Sequence, residues 1–225
     1  MKVLIVAAHP DDEIIGVGGT ARRHIEAGDS VTALILSKGV TSRKDQANNT
    51  TAHEQEKKEL IKQARRAAEK IGQDIIFLNF PDNRFDSVDL LDIVKEVENH
   101  VKSYSPDVIY THWKYDLNVD HRLTFDAVIT ACRPCSSYFV KNIYSFETIS
   151  NTEWSIKHSF NPNVFINITN TMRNKLEALA YYKHEIREYP HPRSLEGIAI
   201  NNQRWGLVMA GKYFEAFELV RTVKW

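Results

Sequence analysis

The chain has 225 residues, 43% hydrophobic and 26% charged, with 29 basic and 29 acidic side chains. That composition fits one globular domain, residues 1–225, with enough apolar material for a sizeable core. The net charge of zero excludes bulk attraction to nucleic acid or an anionic membrane. No apolar run approaches the ~20 residues of a membrane span, so no transmembrane segment is expected.

The predicted elements alternate from the start. "KVLIVAA" is a continuous apolar run, the pattern of a strand buried on both faces. "GVGGTARRHIEAG" reads as a helix closed by Gly28, and "SVTALILS" as a second buried strand. The polar stretch "KGVTSRKDQANNT" is expected to be a mobile loop. A charged helix follows from about Ala52 to Ile71, stopping at Gly72, and leads into the strand "DIIFLNF". "DSVDLLDIVKEVENHVKSY" has a polar cap and apolar residues at helical spacing. "PDVIYTH" is a fourth strand and "DHRLTFDAVITAC" another helix. Beyond it, "NIYSFET" and "NVFINIT" read as later strands, expected near the sheet edge. "NTMRNKLEALAYYKHEI" and "SLEGIAINNQRWGLVMAG" read as helices. The βα alternation predicts an α/β fold, a Rossmann-like, mostly parallel sheet flanked by helices.

Ligands of such sheets sit beyond the carboxyl ends of the strands where strand order reverses. With order 3-2-1-4, strands one and four flank that point. Strand one runs into His9, Pro10, Asp11, Asp12 and Glu13; strand four ends in His112, and its loop leads to Asp120 and His121. Three adjacent carboxylates repel and raise one another's pKa, and a cation would offset that cost. His9, Asp12 and His121 form a two-imidazole, one-carboxylate set suited to Zn²⁺ with an open position for water. Asp11 is then free to take a proton from that water. A solvated helix N-cap is the bland reading of the same acids.

Other motifs carry less. Gly16, Gly18 and Gly19 lack the G-x-G-x-x-G spacing and follow acids where a pyrophosphate would sit, so close helix–sheet packing is the better reading. Cys132 and Cys135 of "CRPC" fall at a helix end, where the dipole opposes a thiolate, and read as structural thiols ahead of a redox pair. In "EYPHPRS" two prolines stiffen a loop presenting His191, Arg193 and Ser194. It is either a turn with Ser194 as helix cap, or a substrate wall with Arg193 forked onto an oxygen-rich group.

With these residues in hand, the chain resembles the PIG-L/LmbE family of zinc-dependent deacetylases. "AHPDDEIIGVGGTARRHIEAGDSV" matches the family's amino-terminal signature, and "VDHRLTFDAV" its second motif. "FPDNRFD", "DLNVDHR", "RPCSS" and "YPHPRS" resemble bacterial members associated with surface-sugar biosynthesis. The resemblance implies zinc held by His9, Asp12 and His121, Asp11 as general base, and hydrolysis of an N-acetyl group on an amino sugar. Asn118, Asp120, His191 and Arg193 are the expected substrate contacts. Many members carry a His where this chain has Asn118, which cannot deliver a proton. The general acid is then Asp11 returning its proton, with His191 as the rival and His112 as a weaker one that could instead orient the loop after strand four. Two other functions remain. One is a metal-dependent hydrolase of another amide or a phosphoester, with Glu13, Asp116 and His112 as ligands of a second ion. The other is a non-catalytic sugar- or nucleotide-binding protein. The absence of a leader pattern and the two cysteines lead us to expect a cytoplasmic protein, with a small sugar as partner and a homo-oligomer compatible with the sequence.

Overall fold

The apolar runs become strands as their pattern predicts: β1 (Lys2–Ala7), β2 (Ser30–Ser37), β3 (Asp74–Phe80), β4 (Val108–His112) and β5 (Asn142–Phe146). The computed structural model describes residues 1–39, 50–134 and 138–224. With β6 (Val164–Asn167) and β7 (Phe214–Thr222) they form a seven-stranded sheet of order β3-β2-β1-β4-β5-β7-β6. The first five strands are parallel; β7 runs antiparallel to both of its neighbours.

Alternation along β1 divides the core. Val3, Ile5 and Ala7 pack on one face with α1 (Asp12–Glu26), α2 (Thr50–Ile71) and α5 (Met172–Leu179). Leu4, Val6 and Ala8 pack on the other with α3 (Leu90–Tyr104) and α4 (Val119–Ala131). Because β2 and β4 flank β1, the order reverses there, and the ends of β1 and β4 meet as expected. Gly16 is where α1 crosses the sheet most closely. A Cβ on it would lie 2.2 Å from the Phe146 ring, so this glycine serves packing rather than a phosphate loop.

Several boundaries differ from expectation. α1 starts at Asp12, four residues before Gly16, so the acids lie within its first turn. α5 stops at Leu179, and the "YYKHEI" stretch turns back towards the β1 end, where Tyr182 makes a buried contact. β5 is interior rather than at the edge, because β7, unforeseen, inserts between it and β6. Cys132 is buried, and burial pushes its thiol up to about 12, which suits a structural role; Cys135 lies outside the described residues. So do residues 40–49 of the expected mobile loop. Among the described residues no helix is long and apolar enough to cross a membrane.

β7 also brings a buried charge into the core. Glu215 accepts the N–H groups of Gly19 (2.9 Å) and Thr20 (2.7 Å) and pairs with Lys175 Nζ at 2.7 Å. The pair ties α1, α5 and β7 together, with both side chains at most 2% exposed. Lys175→Met removes one partner and leaves a buried carboxylate uncompensated. It should cost about 3–5 kcal/mol, read as a lower urea midpoint at unchanged slope. A loss below ~1 kcal/mol would mean the pair does not hold this side of the sheet.

Candidate active site

The site begins with a backbone constraint. β1 ends at Ala7, and the chain must turn within four residues to start α1. Asp11 makes that turn at φ 104°, a conformation that costs a non-glycine residue roughly 1–3 kcal/mol. Its carbonyl accepts the N–H groups of Ile14 and Ile15, and its own N–H donates to Glu13 Oε2 at 3.0 Å. Glu13 Oε1 accepts the Tyr182 hydroxyl at 2.6 Å. Burial pushes the Glu13 carboxyl up to about 7, although these hydrogen bonds oppose it. Asp12 and Glu13 also sit in the first turn of α1, where the helix dipole favours acids.

Asp12 is the centre of the cluster. Its Oδ2 lies 3.3 Å from His9 Nδ1 and 3.2 Å from His121 Nε2. The far nitrogen of each imidazole meets another carboxylate: His9 Nε2 is 3.0 Å from Asp120 Oδ2, and His121 Nδ1 is 3.0 Å from Asp116 Oδ1. His112 stacks on His121 with ring centroids 3.8 Å apart. Its Nε2 accepts the Ala8 N–H at 3.0 Å, which puts the His112 proton on Nδ1, facing Thr148 Oγ1 at 3.1 Å.

The charges follow from this packing. Burial raises the Asp12 pKa, but the neighbouring His121 and His112 outweigh it and hold Asp12 well below the usual carboxylate range. Burial lowers His9, yet hydrogen bonds to Asp12 and Asp120 push it up to about 10. Burial likewise lowers His121, but the charges of Asp12 and Asp116 push it up to about 9. His112 is driven well below its ordinary value by burial and by His121, and stays neutral. Positive charge is therefore held at two imidazoles that converge on one carboxylate. Asp12 Oδ1 and His121 Nε2 are both buried without a hydrogen-bond partner. One nitrogen from each of His9 and His121 and one Asp12 oxygen lie within 4.8 Å of one another, so these residues fit a divalent ion.

The "EYPHPRS" segment closes the other side. Ser194 caps α6 (Leu195–Val208), its Oγ accepting the Gly197 N–H at 2.9 Å. Arg193 lines the same cleft as His9 and Asp11, and its Nη1 donates to Asp11 Oδ2 at 3.1 Å. Burial pushes Asp11 well above the ordinary carboxylate value, against the pull of the Arg193 charge. His191 lines the cleft too; its Nδ1 accepts the Arg193 N–H at 3.0 Å, which leaves the ring proton on Nε2. Gly197 is needed here, since a Cβ would lie 2.6 Å from the Pro192 carbonyl oxygen. The cleft has a volume of about 260 Å³.

The structure thus brings together His9, Asp11, Asp12, His121, His191 and Arg193. Asn118 stands at the cleft wall as the N-cap of α4, its Oδ1 accepting the Asp120 N–H at 2.8 Å. Asp120, expected among the substrate contacts, is fully buried. Its Oδ1 accepts the Phe85 N–H and its Oδ2 meets His9, so it orients the imidazole instead. Glu13, His112 and Asp116, weighed as ligands of a second ion, have their polar atoms engaged inside the protein. The paired carboxylates behind the imidazoles were not foreseen in these roles. Asp116 was legible in principle, five residues ahead of His121 on the loop entering α4, because a ligating imidazole usually has such a partner.

The same residues can be set against known proteins. Over residues 4–132 the chain matches the model of the PIG-L family, described as GlcNAc-PI de-N-acetylase. It is 27% identical over 197 residues to the diacetylchitobiose deacetylase of Thermococcus kodakarensis, covering 83% of this chain and 71% of that one. It is 28% identical over 189 residues to a probable N-acetyl-alpha-D-glucosaminyl L-malate deacetylase 2 of Bacillus cereus, covering 81% and 83%. Among solved structures, the 4-carboxy-2-hydroxymuconate hydratase GalB of Pseudomonas putida superposes with a TM-score of 0.80 at 19% identity, covering 100% and 98%. That likeness concerns the fold, which serves more than one reaction. The family match spans more than half of the chain and includes His9, Asp11, Asp12, Asp116, Asp120 and His121, and this protein belongs to the PIG-L family.

Proposed function

We propose that this protein is a zinc-dependent deacetylase that hydrolyses the acetamide of an N-acetylated amino sugar or its conjugate. The observation that carries the reading is the convergence of His9 Nδ1 and His121 Nε2 on one Asp12 oxygen, with Asp11 beside it in an open cleft. The N-deacetylase relatives support the choice of bond. We further infer a cytoplasmic place in glycoconjugate biosynthesis, on the strength of the sequence resemblance.

His9, Asp12 and His121 would hold the ion, which when bound supplies Lewis acidity and lowers the pKa of water. Asp120 and Asp116 fix the two imidazole rings so that the inner nitrogens present their lone pairs. Asp11 is the general base, and burial raises its pKa towards the range where a carboxylate both takes and returns a proton. Arg193 holds the Asp11 carboxylate in place. Asn118 carries no transferable proton, so Asp11 itself protonates the departing amine, with His191 Nε2 as the rival donor.

The direct test is acetate release from a panel of free and conjugated N-acetyl sugars by zinc-loaded protein, abolished by a chelator and restored by zinc. Asp11→Asn should retain the ion and lower kcat by about 10²–10⁴. A variant as active as the parent would remove Asp11 from the role.

The charges give a second prediction. His9 and His121, at about 10 and 9, are protonated near neutral pH in the ion-free protein. Each must lose its proton to ligate. Zinc affinity should therefore rise with pH, by up to roughly a hundredfold per unit between pH 7 and about 9, by roughly tenfold from there to about 10, and level off above that. Calorimetry in buffers of different ionisation enthalpy should count about two protons released per ion at pH 7. Zinc binding without proton release would show that the two imidazoles are not its ligands.

A further inference from the structure

The cleft contains two arginines with different fates. The Arg193 guanidinium is turned to the acids of the corner: Nη1 donates to Asp11 at 3.1 Å and lies 4.0 Å from Glu185, and Nη2 lies 3.7 Å from Asp12 Oδ1. Its Nη1 cannot turn to an anion without releasing Asp11, and its Nε, which has no hydrogen-bond partner, is buried rather than presented to the cleft mouth. Arg187 lines the same cleft, is exposed, and has no ion pair or side-chain hydrogen bond among the described residues. Both arginines hang from one closed turn, because the Arg187 N–H donates to the Arg193 carbonyl at 3.3 Å and the His191 N–H to the Glu188 carbonyl at 3.0 Å. Ser194 anchors the end of that turn as the cap of α6. The backbone that presents Arg187 is thus already ordered, which lowers the entropic cost of using it.

The remaining wall divides by charge. Asp82 and Glu185 belong to the corner of His9 and Arg193, which they meet at 3.4 and 4.0 Å. Asn83, Asn118, Asn151 and Ser150 offer uncharged donors and acceptors of the kind that hold sugar hydroxyls. A neutral glycoside would meet only this uncharged wall and leave Arg187 without a partner. An acidic substituent would be repelled by the carboxylate-rich corner and attracted to the guanidinium, which binds planar or tetrahedral oxyanions by paired N–H donors.

We propose that Arg187 is a specificity residue that receives an anionic group on the substrate, so that the favoured substrate is an N-acetylated amino sugar whose substituent carries a phosphate or carboxylate. The acetamide then lies at the His9–Asp12–His121 corner and the anion at Arg187. This inference rests on the deacetylase reading of the cleft.

The test compares zinc-loaded parent and Arg187→Ala on four compounds. These are N-acetylglucosamine 1-phosphate, its uridine-diphosphate conjugate, its malate glycoside and the neutral methyl glycoside. The first three distinguish a simple phosphate, a nucleotide and a carboxylate as the source of the charge. The parent should prefer at least one anionic compound over the methyl glycoside by roughly 10–100-fold in kcat/KM. The preference should lie mainly in KM, weaken with added salt, and collapse to within about threefold in Arg187→Ala. Equal use of neutral and anionic compounds by the parent, or an unchanged ratio in the variant, would overturn it. The same ratios measured as equilibrium binding to Asp11→Asn protein judge Arg187 independently of turnover. Absence of acetate release from every compound would count against the deacetylase reading alone.

Discussion

Three consecutive carboxylates, Asp11, Asp12 and Glu13, are buried at the junction of β1 and α1, each at most 1% exposed. Burial and mutual repulsion both disfavour their charged forms, and the rest of the site is arranged around relieving that cost. Each acid finds a different solution. Asp12 lies among three imidazoles. Asp11 has Arg193, brought from the far end of the chain. Glu13 accepts a backbone N–H from Asp11 and the hydroxyl of Tyr182. The three solutions give the three groups different characters: Asp12 is held ionised, burial pushes the Asp11 carboxyl well above its ordinary value, and Glu13 braces the turn.

The bracing links fold to chemistry. Asp11 occupies a left-handed backbone conformation that the sequence does not favour, and the bond from its N–H to Glu13 helps to hold it there. Tyr182 reaches Glu13 only because α5 ends at Leu179 and the chain turns inward. The Lys175–Glu215 pair anchors α5 to α1 and β7 on the same face of the sheet. Asp11, proposed above as the general base, is therefore positioned by contacts that extend through α5 and β7, although it lies in the first dozen residues.

Much of this was legible from the chain alone. The βα alternation and the continuous apolar runs predicted the parallel sheet, and the common strand order 3-2-1-4, which was assumed and not read from the residues, put β1 beside β4 and so His9 near His121, over a hundred residues apart. The cap at Ser194 and the packing role of Gly16 followed from local rules. What escaped was set by long-range partners. β7 carries no local mark of its antiparallel insertion between β5 and β6. Asp120, expected among the substrate contacts, is turned inward by α4 onto His9. Arg193 looked like an anion fork because nothing in its own segment announces the buried Asp11 it would meet.

The central claim is that Asp12 and two imidazoles, each braced by an outer carboxylate, form a single-ion site. An anomalous-difference map collected at the zinc edge from crystals of zinc-loaded protein tests it most directly. The account predicts one peak per chain, about 2.0–2.2 Å from His9 Nδ1, an Asp12 oxygen and His121 Nε2, with Asp120 and Asp116 still on the outer nitrogens. A peak bound through His9 Nε2, a second ion at Glu13 or His112, or no density between the two imidazoles would contradict it.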